Sequence, residues 1–109
     1  MPKPGAVVTV DFPGVTGVKR RPTIVVSTAT YHSTRPDVIL AVVTSQIASA
    51  SAPSDYVLQD WGPAGLRQPS AFRAFIVTLP AASIFSIIGQ LSDRDWREVQ
   101  ARLRVALAV

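Results

Sequence analysis

The sequence predicts a single, mainly β domain (α+β in class), built as a small barrel of about six short strands with one helix at the C-terminus. Three observations predict it. Short β-branched or apolar runs recur at residues 6–12, 23–27, 38–44, 56–59, 70–79 and 84–90. Glycine- and proline-rich breaks separate them. Only the segment after Ser92 follows helical spacing over several turns. A chain of 109 residues is naturally one domain, and a 48% apolar content is too high for disorder.

The elements follow in order. Residues 6–12, Ala-Val-Val-Thr-Val-Asp-Phe, read as the first strand. Residues 13–22 hold Pro13, Gly14, Gly17 and Pro22 and read as a loop, with Lys19, Arg20 and Arg21 at its far end. Asp11, beside that loop, is placed to pair with one of its arginines. Residues 23–27 are apolar on both faces, as a central strand would be. Residues 28–37 form a polar connection with the only histidine, His32, which reads as a surface residue. The strand at 38–44 looks buried and runs into Thr44-Ser45-Gln46. Residues 48–54, Ala-Ser-Ala-Ser-Ala-Pro-Ser, lack bulky anchors and read as mobile. A short strand at 56–59, a turn at 62–66, and a longer strand at 70–79 containing Arg73 come next. Residues 80–83 make a break or a single helical turn before the last strand, 84–90.

The helix has a start signal. Ser92 can cap it, with Asp95 three positions on in a capping-box arrangement. Leu91 and Trp96 have the spacing of a hydrophobic staple. Trp96, Val99, Leu103, Ala106 and Leu107 define the apolar stripe, and Arg94, Arg97, Glu98 and Arg102 the opposite face.

The charge balance narrows the function. Eleven Lys and Arg against seven Asp and Glu give a net charge of +4. Ten of the basic residues lie outside the N-terminal tail, and nine of those are arginine, whose planar fork suits phosphate. Such an excess attracts a polyanion. Lys19-Arg20-Arg21 reads either as a phosphate clamp or as a solvated charge run. Thr44-Ser45-Gln46 reads either as a polar groove edge or as the start of a loop, and Arg73 as a cleft residue or an outward one. Without cysteine there is no disulfide or thiolate zinc site, and one histidine argues against a transition-metal site. The acidic residues outside the helix are scattered, which disfavours a two-metal nuclease, so neither metal nor cofactor is expected. Nucleophile-elbow, P-loop and dinucleotide motifs are absent from the sequence. No apolar window approaches a membrane span or a signal peptide, so a soluble cytoplasmic protein is expected.

The order of these pieces resembles the MazF/PemK toxin family, of the CcdB/PemK superfamily. The matching residues are Gly5, Val10-Asp11-Phe12, the glycine loop, Arg21-Pro22 opening an aliphatic strand, and Thr44-Ser45-Gln46. They continue with Asp55-Tyr56-Val57-Leu58, Gly65-Leu66, Pro69-Ser70, Arg73 and Ile88-Gly89-Gln90-Leu91-Ser92. The resemblance covers residues 1–109 as one toxin domain and implies an SH3-like barrel. It implies a homodimeric endoribonuclease, an mRNA interferase that cleaves single-stranded RNA and is neutralised by a cognate antitoxin, here expected to be acidic. It also implies a catalytic pair, Arg21 and Thr44, with Lys19, Arg20, Ser45, Gln46 and Arg73 as RNA-binding residues. Phe75 stands where some members have an aspartate, and Ala6 replaces the usual acidic residue after the early glycine. The implied chemistry is metal-independent: the RNA 2′-hydroxyl attacks phosphorus, Arg21 stabilises charge and donates to the leaving oxygen, and Thr44 orients the reacting groups. The product would be a 2′,3′-cyclic phosphate. A non-enzymatic gyrase-binding toxin of the CcdB type and a plain nucleic-acid-binding SH3-like module stay open as alternatives.

Overall fold

A computed structural model describes residues 2–14 and 17–109 of the chain. One antiparallel sheet dominates it. The strands are β1 (Ala6–Gly14), β2 (Gly17–Val25), β3 (Asp37–Thr44), β4 (Tyr56–Val57), β5 (Ala71–Pro80) and β6 (Ile84–Gln90), in the spatial order β4-β5-β3-β2-β1-β6. Two helices complete it, α1 (Ala29–Thr34) and α2 (Asp93–Ala106), with short 3₁₀ turns at Ile47–Ser49 and Ala81–Ser83. No helix among the described residues is long and apolar enough to cross a membrane.

Each sheet face buries its own cluster. Val7, Ile24, Ala41, Val43 and Phe72 point to one face, where Leu58, Ala64, Leu66 and Leu91 join them and α2 covers them through Val99, Trp96 and Leu103. Val8, Val10, Val25, Val38 and Leu40 point to the other, joined by Val77 and Leu79 from β5 and Ile84 from β6. Strands from opposite halves of the sheet therefore meet over the second cluster, so the sheet is rolled as a barrel wall is. Its described residues show no ladder joining β4 to β6.

The sequence boundaries need three corrections. The expected loop at 13–22 is mostly strand. β1 and β2 form a long hairpin in register from Val7↔Ile24 to Gly14↔Gly17, so Lys19, Arg20 and Arg21 lie within β2. The ladder runs on to Gly14 and Gly17; Val15 and Thr16 lie outside the described residues. The connection at 28–37 contains α1, capped by Thr28, whose side chain accepts the Tyr31 N–H. This helix buries no residue, so it left no apolar stripe to read. Residues 48–54, read as mobile, are tied down. Asp55 accepts the Ala52 N–H at 3.1 Å, and Arg102 donates to the carbonyls of Pro53 and Asp55 at 2.9 and 3.0 Å.

The start of α2 follows the expected cap only in half. Ser92 Oγ accepts the Asp95 N–H at 3.3 Å, but the Asp95 carboxylate does not reach back to Ser92. It is fully buried and accepts three bonds from outside the helix: Tyr56 Oη at 2.6 Å, Gln59 N at 3.1 Å and Asp60 N at 2.8 Å. Burial, and then this bond to Asp95, push the Tyr56 phenol pKa upward. Asp60 in turn accepts from Ser92 Oγ and from both Nε and Nη2 of Arg94, which pull its carboxyl down to about 2. The apolar stripe of α2 packs only as far as Leu103; Ala106 and Leu107 are exposed. Arg102, assigned to the outer face, turns toward the sheet, as its bonds to Pro53 and Asp55 require.

A second clamp joins the 60–66 turn to β6. A side chain at Gly65 would come within 2.0 Å of the Ile88 carbonyl, and one at Gly89 within 2.0 Å of the Ala64 carbonyl. Gly65 also adopts a positive φ of 91°. The two backbones meet where no Cβ fits.

Asp95→Ala should be the most damaging single truncation at the helix–sheet junction, because it leaves three donors without an acceptor. The expected loss is about 3 kcal/mol or more. Urea denaturation followed by circular dichroism checks it; a midpoint close to that of the unmutated chain would contradict the role given to this carboxylate.

Candidate functional site

The candidate residues gather where the β2–β3 ladder stops. The three paired positions are Thr23↔Val42, Ile24↔Ala41 and Val25↔Leu40. Pro22 precedes the first of them and has no N–H to donate, so a ladder cannot continue through it unbroken. Carrying the register two residues further sets Arg21 opposite Thr44, on one face of the sheet. β2 and β3 thus carry these residues just past the end of their ladder, with no backbone pairing between them.

Neighbouring strands extend the row. Thr44 pairs with Ala71 of β5, and Ala71 pairs with Val57 of β4. Val43 and Phe72 belong to the cluster under α2, so Thr44 and Ala71 project to the opposite face. Thr44 Oγ1 accepts the Gln46 N–H at 3.1 Å, which turns the chain out of the strand and leaves Ser45 and Gln46 exposed. β5 bulges here: Ala41 faces Ile76 but Val43 faces Phe72, so Arg73, Ala74 and Phe75 span the place of one partner residue.

The basic residues divide into engaged and unengaged ones. Arg20 donates from Nε and Nη2 to Asp11 at 2.8 and 3.2 Å, the pairing expected for Asp11. Its guanidinium also stacks 3.4 Å from the centre of the Phe85 ring. The Arg20 hydrogen bonds hold the Asp11 carboxyl below its usual range, and the same bonds raise the Arg20 pKa. Arg20 is therefore half neutralised before any ligand arrives. Lys19 and Arg21 are exposed, and no ion pair among the described residues engages either. Arg73 is half-exposed, with Nε 3.6 Å from Oδ1 of the almost fully buried Asp55. Phe75, 64% exposed, offers no carboxylate.

His32 lies apart. Half-buried on α1, its Nε2 is 2.5 Å from Ser27 Oγ, which also accepts the Ile39 N–H at 3.0 Å. This bond ties α1 to β3, so the histidine is structural and not a bare surface group. Among the described residues, no group of three or more His, Cys, Asp or Glu is arranged to hold a metal ion. Asp55 was missed by sequence reasoning. It stood in the sequence only as part of the Asp55-Tyr56-Val57-Leu58 run, without a role, since the partner Arg73 becomes visible only through the β4–β5 register.

Comparison with known proteins bears on this arrangement. Residues 3–107 match the PemK-like, MazF-like toxin of type II toxin–antitoxin systems. A search of curated proteins returns no match. Among solved structures, an endoribonuclease from a Mycobacterial species in complex with its cognate antitoxin superposes with a TM-score of 0.83 at 19% identity, over 100% of this chain and 97% of that one. The Mycobacterium tuberculosis toxin MazF-mt6 gives 0.77 at 16% identity, over 95% and 97% of the two chains. The MazE–MazF structure from Deinococcus radiodurans gives 0.78 at 22% identity, over 99% and 97%. At these identities the structures establish a shared fold.

The Asp11–Arg20 pair predicts a measurable change in surface charge. Asp11→Asn should leave the thermal midpoint at neutral pH nearly unchanged, because the pair is exposed. It should also raise the salt concentration needed to elute the protein from a heparin column. Asp93→Asn changes net charge equally, from the first turn of α2, and should raise it less. Equal shifts for the two variants would show that the hairpin is not the polyanion-binding face.

Proposed function

Because the chain belongs to the PemK-like, MazF-like toxin family of type II toxin–antitoxin systems, we propose that it is an endoribonuclease that cuts single-stranded RNA at the Arg21–Thr44 cleft. The observation that carries this reading is the register that brings Arg21 and Thr44 to one face beyond the end of the β2–β3 ladder. A guanidinium and a hydroxyl at an unpaired strand end meet what RNA self-cleavage needs, since the substrate carries its own nucleophile.

In this mechanism the 2′-hydroxyl oxygen bonds to phosphorus and loses its proton, while the bond to the 5′-oxygen breaks and that oxygen gains one. Arg21 donates hydrogen bonds to the phosphoryl oxygens, where negative charge grows, and to the departing oxygen. An arginine is a poor base because its pKa exceeds 12, so its role is charge stabilisation with donation to the leaving group. Thr44 Oγ1 orients the 2′-hydroxyl or one phosphoryl oxygen. Lys19 and Arg20 on β2 attract the backbone, Arg20 less strongly because Asp11 already holds it. Ser45 and Gln46 are exposed for base edges or phosphate, and Arg73 meets the strand from β5. The products are a 2′,3′-cyclic phosphate and a 5′-hydroxyl, and no metal takes part.

Two partners complete the proposal. The first is a cognate antitoxin with an acidic segment, which would cover the basic hairpin and compete with RNA; the relative from a Mycobacterial species was solved with its antitoxin. The second is another copy of the chain. Phe85 and Ile87 are 62% and 61% exposed on the sheet's outer strand β6, an apolar surplus that a dimer would cover. The proposed setting is the cytoplasm, where such a toxin would meet its RNA.

Arg21→Ala should lower cleavage of single-stranded RNA by about 10²–10³-fold with an unchanged circular dichroism spectrum. Unmutated protein should retain its rate in excess EDTA. Full activity in a folded Arg21→Ala protein would remove Arg21 from the mechanism, and loss on chelation with recovery in Mg²⁺ would remove the metal-free step. RNA that is bound yet never cut would instead favour a nucleic-acid-binding module. Sedimentation velocity at micromolar concentration should show a dimer; a monomer there would count against the second copy.

A further inference from the structure

We propose that Asp55 is a positioning residue that holds the Arg73 guanidinium over the cleft edge beside Thr44. The inference rests on the ribonuclease reading of that cleft and assigns a role to a carboxylate outside it.

The β4–β5 ladder runs Tyr56↔Phe72 and Val57↔Ala71. One step further sets Asp55 opposite Arg73, on the face that carries Thr44 and Ala71. The Asp55 side chain is only 4% exposed, whereas that of Arg73 is 43% exposed. A nearly buried carboxylate thus faces a half-exposed guanidinium, so the fixed partner is the acid and the one with freedom is the base. The contact uses Arg73 Nε, 3.6 Å from Oδ1. The other carboxylate oxygen is occupied by the Ala52 N–H, which fixes the carboxyl plane. The Asp55 main chain is fixed as well, because its carbonyl accepts from Arg102 of α2 and its N–H donates to the Ala52 carbonyl at 2.9 Å.

This arrangement matters because Arg73 lies in the β5 bulge, where no β3 residue pairs with it. A long guanidinium side chain on such a segment carries substantial rotamer entropy. Asp55 removes part of that freedom before a ligand arrives, by its contact with Nε. A preorganised donor contributes to a transition state without an ordering cost at the moment of reaction.

The test uses the full chain. In proton–nitrogen correlation spectra, Arg73→Lys identifies the Arg73 Nε–H signal by its loss. That signal should be distinct in the unmutated protein and should merge with those of exposed arginines in Asp55→Asn. Asparagine keeps an oxygen for the Ala52 N–H, so thermal melts should superimpose. Should Asp55→Asn unfold, Asp55→Glu, which keeps the charge and displaces it, should give an intermediate signal and rate. Single-turnover cleavage of a short RNA should slow about tenfold to a hundredfold in Asp55→Asn. Asp55→Asn combined with Arg73→Ala should be no slower than Arg73→Ala alone. An unchanged Arg73 signal, an unchanged rate, or additive losses would each overturn the proposal. Absence of cleavage by the unmutated chain would sink the ribonuclease reading instead, and the spectra would still decide whether Asp55 holds Arg73.

Discussion

A buried carboxylate, Asp95, ties the start of α2 to β4 and the segment after it, and the placement of β4 depends on it. It stands in the first turn of α2, where the helix dipole favours negative charge. Yet it uses its acceptor capacity on the backbone at Gln59 and Asp60 and on the Tyr56 phenol. The strand β4 has only two residues and could not hold its place through the β5 ladder alone. Tyr56 anchors it from the helix side. Its neighbour Asp55 points the other way, toward the cleft, as alternation along an extended chain demands. One short segment therefore contacts α2 through Tyr56 and Arg73 through Asp55.

The candidate site lies at an interrupted ladder. Pro22 ends the β2–β3 hydrogen bonds while β1 continues to hold β2 along the whole hairpin. The strand stays straight because one neighbour is intact, and its other edge is freed. On that freed edge the chain places an arginine, and on the facing strand a threonine that closes its own turn through the Gln46 N–H. Electrostatics then sorts the basic residues of the hairpin. Arg20 spends its donors on Asp11 and its face on Phe85, which fastens β2 to β1 and β6, while Lys19 and Arg21 are exposed and in no ion pair among the described residues.

The strand pattern was legible where burial imposes alternation or an apolar run. Residues 84–90 form β6 with the expected bounds, the run at 38–44 differs from β3 by one residue at its start, and the run at 70–79 is offset from β5 by one residue at each end. The hairpin was misread because glycine and proline near a basic cluster look like a loop, and only pairing with β1 shows that Lys19 to Arg21 are extended. α1 was hidden because a six-residue helix that buries nothing has no periodicity to detect. In the candidate site, Arg21, Thr44 and Arg73 could be named from residue type and order. Their company could not, since Asp55 meets Arg73 through strand register, and register is a property of two segments. Asp95 likewise looked like a capping residue, because the same sequence spacing serves a reciprocal cap and a tertiary anchor.

The first strand is closed by the last: Ala6 of β1 lies opposite Gln90 of β6, and the Gln90 side chain donates to the Pro4 carbonyl. Residues of β1 thus wait for partners made much later along the sequence. At about 5–20 residues per second, a ribosome needs several seconds to deliver them. Until then β1 lacks its outer neighbour, and β4 lacks the helix that anchors Tyr56. A chain made only as far as β5 therefore has neither β6 beside β1 nor the Asp95 acceptor for Tyr56. The order of elements along the chain makes both contacts late ones, complete together only after α2 has begun.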